Sequence, residues 1–171
     1  MTPSPSPACL VDVKTLLPTT LYDEVVTYFM RRTDAPRERV EHQVVACLRY
    51  LYLNSSFPKQ LGGLFLPVEQ EIDEIWHYLI LQTQPYRELC EQRLPGGFFI
   101  DHRSLAFSSY QQEPSRTELI EGALRWLPLY QATFGPFDED ALPHWTMVRF
   151  LHEQLDMSLS DIASLAVEAQ V

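Results

Sequence analysis

The stretch DEIWHYLILQTQPYRELC, residues 73–90, decides the fold class of this 171-residue chain. Its apolar side chains recur every three or four residues, which is the repeat of an α-helix with a buried side. Asp73 and His77 lie four positions apart within this apolar run. Burying either group without a hydrogen-bond partner is costly. The two side chains therefore either form a hydrogen-bonded pair with a structural role or belong to a functional site.

The helix predicted around this stretch is long. It begins at Pro67, a residue suited to a first helical turn, and runs to about residue 93, before the PGG turn at 95–97. Pro85 lies inside this helix and is expected to kink it. One face is predicted to mix polar and apolar groups: Asp73, Trp76, His77, Ile80, Thr83 and Cys90. The neighbouring face is apolar, so the helix is predicted to be buried on most sides, at the centre of a bundle.

Helical spacing continues through the rest of the chain. The predicted helices cover 21–32, 35–54, 115–134, 141–156 and a short final segment from 158. Two of them open with capping-box sequences, SRTE at 115–118 and SLSD at 158–161. The sequence therefore predicts an all-α fold, a single-domain helical bundle of about six helices with a long central helix. Residues 1–9, rich in Pro and Ser, are predicted to be a flexible tail, and 10–171 the domain.

The charge distribution excludes several classes of partner. The formal net charge is −10, and residues 61–171 hold 6 Lys and Arg against 17 Asp and Glu. Such a surface repels nucleic-acid phosphates and anionic membranes, so neither is predicted as a partner. A DNA-binding helix-turn-helix is not predicted for the last two helices either, because contacts to phosphate need positive charge and no Lys or Arg follows Arg149.

The location of the protein is predicted from what the sequence lacks. It shows no secretory leader and no uninterrupted apolar stretch of about 18 residues. Its three cysteines, Cys9, Cys47 and Cys90, form no CxxC pair, which favours reduced thiols over a disulfide scaffold. The sequence therefore predicts a cytoplasmic protein.

His77 is the centre of the predicted metal site. Its imidazole, oriented by Asp73, would ligate a divalent ion together with a second imidazole from elsewhere in the chain. His102, just beyond the PGG turn, is the natural second ligand if its segment folds back, and Asp101 or Glu74 can add a carboxylate. The competing interpretation is structural: Asp73 accepts a hydrogen bond from His77 and fixes the ring while Trp76 packs.

A di-metal carboxylate bundle is disfavoured. Glu74 and His77 form one Glu-x-x-His pair, whereas such a site needs two pairs and two further Glu, all facing inward. Glu38, Glu41 and His42 offer additional donors, but Glu38 and His42 are four residues apart rather than three. The sequence thus supplies one pair only.

The residues of this region carry a resemblance to a known family. The pattern D73-x-x-W76-H77, T83-x-x-Y86-x-x-x-C90 and a short apolar piece ending at His102 resembles the glycine-rich domain-containing protein-like family of bacteria and plants. YQATFG (130–135) followed by Trp145 is similar to its closing segment, so the resemblance covers about residues 35–146. It marks as signature positions Asp73, Trp76, His77, Thr83, Tyr86, Cys90 and His102. Asp101-His102 stands where the family has two adjacent histidines, the glycine-rich extension is absent, and the resemblance implies no particular activity.

Two hypotheses for function follow. The first is a non-enzymatic interaction or accessory protein that binds another protein, in which the Asp/Trp-His signature is structural and no cofactor is needed. The alternative is a metal-binding domain or metal-dependent enzyme that uses Asp73, His77 and His102 around a divalent metal such as Zn or Fe. Whether the protein is an enzyme stays open, and no catalytic residue is assigned. Base rates and the incomplete ligand set favour the first hypothesis.

Overall fold

The computed structural model of the protein describes residues 10–61, 68–102 and 116–168. Every regular element in these ranges is helical, which confirms the all-α prediction. The described residues form eight α-helices: α1 Thr19–Thr33, α2 Arg37–Ser56, α3 Pro58–Leu61, α4 Gln70–Leu81, α5 Thr83–Glu88, α6 Arg116–Phe134, α7 Thr146–Gln154 and α8 Leu159–Glu168. Short 3-10 turns cover Val13–Leu16 and Leu142–His144, and a π-helical turn covers Leu89–Arg93. The predicted tail, residues 1–9, and Pro67 lie outside the described residues.

Helix α2 forms the centre of the bundle. It packs against α1, α3, α4 and the first 3-10 turn, and its buried side chains are fully enclosed. Val40, Val44, Leu48 and Leu51 repeat at intervals of three and four, so one continuous stripe of this helix faces the core. Within the described ranges no helix is long and apolar enough to cross a membrane.

The predicted helix from 67 to 93 is not continuous in the structure. It divides at Gln82, whose backbone (φ −82°, ψ 65°) lies outside the helical range, into α4, α5 and the π-helical turn. Pro85 explains the break, because its ring clashes with the carbonyl of Leu81 four residues earlier and it has no N–H to donate there. The expected kink is therefore a complete interruption, and the helix count rises above six.

Helix α4 is buried on one side, not on most sides as predicted. Ile72, Ile75 and Leu79 are enclosed against α2 and α1, whereas His77 and Leu81 are exposed. The division at Gln82 also ends the face that was predicted to continue from Asp73 to Cys90.

The predicted helix 141–156 begins later, at Thr146. Trp145 has an extended backbone (φ −115°, ψ 101°) and its indole stacks on Trp126, with ring centroids 5.1 Å apart. Tyr130 and Phe137 stack beside them at 3.8 Å. Tertiary packing of these rings overrides the local helical preference, because burying the indole contributes more to the stability of the fold than one additional helical turn does.

The SLSD capping box is confirmed at the start of α8. Ser158 Oγ accepts from the Asp161 N–H at 3.1 Å, and Asp161 accepts from the Ser158 N–H at 2.8 Å. The Ser158 hydroxyl also donates to Asp161 Oδ2 at 2.7 Å, and this bond, followed by the one from the Ser158 N–H, lowers the pKa of Asp161. The SRTE box falls outside the described residues, since Ser115 and the Glu118 side chain are not described.

We expect acid to destabilise the fold through His144, which is buried at the end of the 3-10 turn Leu142–His144. Burial, followed by the charges of His42 and Arg39, lowers the pKa of His144. The unfolded chain therefore binds the proton more readily, so the free energy of unfolding falls as the pH drops below about 6.5. Denaturant unfolding of wild type and His144→Gln between about pH 7.5 and pH 5 measures this, and the variant should lose part of the pH dependence. The matched control is His152→Gln, at the exposed end of α7; identical slopes for His144→Gln and wild type would contradict the prediction.

Candidate metal centre

The structure brings together Asp73, His77 and His102. One ligand atom of each lies within 4.8 Å of the other two. His102 Nε2 is 3.0 Å from Asp73 Oδ1, and His77 Nδ1 is 3.2 Å from Asp73 Oδ2. The two imidazole rings have centroids 4.1 Å apart. The convergence of His77 and His102, left open by the sequence, is thus present in the fold.

Helix α4 and a glycine turn place the three side chains. Asp73 and His77 project from one side of α4 because they are one turn apart. His102 reaches them because the chain reverses after Leu94, where Gly97 has φ +65°. Gly96 lies directly against α2: a Cβ there would stand 2.3 Å from the carbonyl oxygen of Ser55. The turn therefore requires both glycines.

The hydroxyl of Tyr86 fastens the segment that carries His102. It donates to the carbonyl of Ile100 at 2.7 Å and accepts from Trp76 Nε1 at 2.9 Å. The buried Cys90 thiol interacts with the same hydroxyl. Three signature positions, Trp76, Tyr86 and Cys90, thus form the support of the site rather than its donor set.

The site has a closed side and an open side. The His102 side chain is 8% exposed and packs on the indole of Trp76, with ring centroids 4.3 Å apart. The His77 side chain is 49% exposed, and Asp73 lies between the two histidines at 33%. A bound ion would consequently be held from the interior by His102 and remain accessible to water beside His77.

The hydrogen bonds of His77 show which of its two ring nitrogens carries the proton. Its Nδ1 is 2.7 Å from the backbone oxygen of Asp73, and a carbonyl oxygen can only accept. Nδ1 therefore carries the proton in the neutral ring, its 3.2 Å contact to Asp73 Oδ2 is a second donated hydrogen bond, and Nε2 keeps the lone pair of the ring. This arrangement is the usual one for ligating histidines, whose second nitrogen donates to a carbonyl or carboxylate.

Other residues considered from the sequence lie apart from this centre. Thr83 is exposed at the start of α5, and Asp101 is exposed and outside the three-residue cluster. Glu74 points to Arg32 on α1, with a 3.6 Å ion pair. Burial raises the pKa of the Cys90 thiol, which disfavours the thiolate that a metal would need.

The second-helix donors are also engaged elsewhere. Glu41 pairs with Arg37 at 3.0 Å, and His42 lies 3.8 Å from Asp140. Among the described residues, then, no second Glu and His set converges on Asp73.

Sequence reasoning missed the groups that fix the geometry. The carbonyl of Ile100 and the hydroxyl of Ser55, which accepts from the Gly96 N–H at 2.8 Å, carry no sequence signal of their own. Tyr86 was marked by the resemblance without a role.

Comparison with known proteins gave no matching family model, no similar curated protein and no similar solved structure. The resemblance to the glycine-rich domain-containing protein-like family therefore stays a prediction.

We expect Tyr86→Phe to weaken the fold through the lost hydroxyl alone. The ring keeps its packing on Phe99 at 5.3 Å, while the Ile100 carbonyl and the Trp76 N–H each lose a partner. Leaving buried groups unpaired costs about 1–3 kcal/mol, which urea unfolding would measure as a lower free energy of unfolding. Tyr28→Phe is the control because Tyr28 is an exposed tyrosine. Equal losses in the two variants would contradict this role for Tyr86.

Proposed function

We propose that this protein is a divalent-metal-binding domain whose ligands are Asp73, His77 and His102. The observation that supports this most is the meeting of three donor side chains, two imidazoles and one carboxylate, within 4.8 Å. The proposal reverses the order in which the sequence ranked the two hypotheses, because the second imidazole that the sequence could not place is present beside the first.

The spacing of the donors suits a single ion. Metal–nitrogen and metal–oxygen bonds of about 2.1 Å, at angles between octahedral and tetrahedral, put neighbouring ligand atoms about 3.0–3.4 Å apart. Asp73 Oδ1 and His102 Nε2 are 3.0 Å apart. A proton shared between these two atoms in the metal-free protein would be displaced by the ion, so binding should release protons.

The donor set favours zinc or ferrous iron. Two histidines and one carboxylate with open positions are the ligand set of non-haem iron(II) sites, and zinc accepts the same atoms. Three protein ligands leave at least one position for water, which is typical of catalytic rather than structural metal sites. A metal-dependent enzyme is therefore the natural extension of this proposal, with the exposed side at His77 as the place where a substrate would enter.

Elemental analysis tests the proposal directly. Protein purified without chelator should contain close to one equivalent of Zn, Fe or Mn, and chelator-treated protein should take up one equivalent of Zn²⁺ in a calorimetric titration. Asp73→Asn keeps the shape of the side chain but removes its charge, so it should weaken uptake by more than about 10-fold. Wild-type protein that binds no metal in either measurement would refute the proposal. The contacts of Asp73 with His77 and His102 would then have a structural role.

An interaction or accessory protein remains the second candidate, because one surface groove favours it. The groove, about 700 Å³, lies between α1 and α4 and is lined by Asp23, Glu24, Thr27, Tyr28, Arg31, Arg32 and Tyr78. The ring centroids of Tyr28 and Tyr78 are 4.6 Å apart in this groove. Tyrosine and arginine are enriched among the residues that contribute most to binding at protein–protein interfaces. We expect the partner to be a protein, not nucleic acid, and the location to be the cytoplasm.

A binding assay with a purified partner separates this candidate from the metal proposal. Tyr28→Ala should weaken the complex by about 10-fold or more, whereas Leu124→Ala, an exposed apolar residue on α6, should leave it unchanged. A complex insensitive to Tyr28→Ala would exclude the groove as the binding surface.

A further inference from the structure

A second cavity lies away from Asp73, between α2 and the segment that precedes α7. It measures about 210 Å³, and its polar lining consists of Lys14, His42, Arg49, Asp138, Asp140 and Trp145. The apolar part of its wall is formed by Val45, Ala46 and Ala141. None of the three proposed metal ligands lines it, so an inference about this cavity is independent of the metal proposal.

Two buried hydrogen-bond donors without a partner belong to residues of this wall. The described part of the chain has four buried side-chain polar atoms that lack a hydrogen bond, and two of them are Arg49 Nε and Trp145 Nε1. Both are N–H groups, so the partner that each requires is an acceptor. Buried polar groups are nearly always hydrogen-bonded, so each of these two residues lacks an acceptor that such groups normally have, and both residues line the same cavity.

Arg49 is held in a fixed orientation with one edge free. Its Nη1 donates to the hydroxyl of Tyr130 at 2.8 Å, and its guanidinium carbon lies 5.8 Å and 5.2 Å from the rings of Tyr130 and Phe134. Burial raises the pKa of Tyr130 to about 12, so this neighbour is neutral and leaves the arginine charge uncompensated. The remaining Nε and Nη2 donors form the parallel fork that matches a carboxylate.

The two acidic residues of the wall have partners within the same wall. Asp138 Oδ1 accepts from the N–H of Ala141 at 2.8 Å, and the largely exposed Asp140 lies 3.8 Å from His42. Among the described residues, no carboxylate comes within ion-pair distance of Arg49. The two aspartates nevertheless disfavour a multiply charged anion in this cavity, so a singly charged ligand fits better than phosphate.

We propose that this cavity binds a small organic carboxylate through Arg49. The carboxylate accepts two parallel hydrogen bonds from Nε and Nη2, the indole N–H of Trp145 is a further donor, and the apolar part of the ligand packs on Val45, Ala46 and Ala141. The volume allows a ligand of several heavy atoms but not a nucleotide.

Nuclear magnetic resonance of the full chain tests this with propionate as the probe. The indole ¹H–¹⁵N resonance of Trp145 should shift in a saturable way as sodium propionate replaces sodium chloride at constant ionic strength. Arg49→Lys keeps the charge but loses the fork, so the affinity should fall by about 10-fold or more. The control Arg93→Lys changes an exposed arginine of the π-helical turn and should leave the affinity unchanged.

Several outcomes would overturn the assignment. One is a Trp145 resonance that does not respond to propionate; another is an equal response to inorganic phosphate or to chloride. If Arg49→Lys fails to fold, Ala141→Leu, which adds bulk to the cavity wall, should abolish the propionate shift; an unchanged affinity in a folded Ala141→Leu variant would also refute the proposal.

Discussion

His77→Ala is expected to abolish metal binding while the protein stays folded. The imidazole is one of three proposed ligands, so its removal should weaken the affinity for Zn²⁺ by more than about 100-fold. The side chain is about half exposed and lies at the open side of the site, so the core loses almost no packing. Calorimetric titration with Zn²⁺ gives the affinity, and thermal unfolding of the metal-free protein gives the stability.

His152→Ala is the matched control, because His152 is also an exposed helical imidazole bonded to a backbone oxygen, that of Met157 at 2.8 Å. Its metal content should equal that of wild type. The opposite pattern, a lower melting temperature of metal-free His77→Ala with no metal in wild type, would assign Asp73 and His77 to architecture. His102→Ala is less diagnostic, since its ring is buried on Trp76 and its loss would affect both quantities.

Trp126→Ala should produce the largest loss of stability of any single substitution discussed. The indole is fully buried, stacks on Trp145, packs edge-on to Phe137 at 5.8 Å and donates to the sulfur of Met147 at 3.0 Å. Truncating a buried tryptophan typically costs about 3–5 kcal/mol, a large part of the stability of a domain of this size. Urea unfolding followed by far-ultraviolet circular dichroism would measure the loss.

The control for this substitution is on the same helix. Leu124→Ala changes an exposed leucine of α6 and should alter the free energy of unfolding by less than about 0.5 kcal/mol. Trp126→Phe should fall between the two, since it keeps an aromatic ring. A loss below about 1 kcal/mol for Trp126→Ala would show that the aromatic cluster is not a stability centre.

The parts of the fold predicted well from sequence are those in which local and global preferences agree. Helices α1 and α2 begin and end within a few residues of their predicted bounds, because each has a regular apolar stripe and a proline at its start. The helix around Asp73 was predicted in type but not in extent. Pro85 indicates that the helix is disturbed but not whether it bends or ends there, and in the structure it ends at Leu81.

The site was predicted in its chemistry and not in its geometry. The spacing of Asp73 and His77, together with His102, indicates side chains that can ligate a metal. Their meeting depends on a turn whose Gly96 contacts Ser55, 41 residues earlier in the chain. Thr83 shows the limit of periodicity, since it was placed on the same face only by extending a helix that ends at Leu81. The exposure of His77 likewise follows from packing between distant helices.

Because the helix is interrupted at Gln82, the site cannot be moved to another protein as a short segment of this chain. Helix α4 has 12 residues and α5 has 6, and isolated helices shorter than about 12–15 residues are marginal in water. A synthetic peptide spanning 70–102 would therefore hold Asp73, His77 and His102 in one chain without holding them in one place. Any activity that depends on these three side chains belongs to the assembled bundle, and engineering it elsewhere would mean grafting the bundle whole.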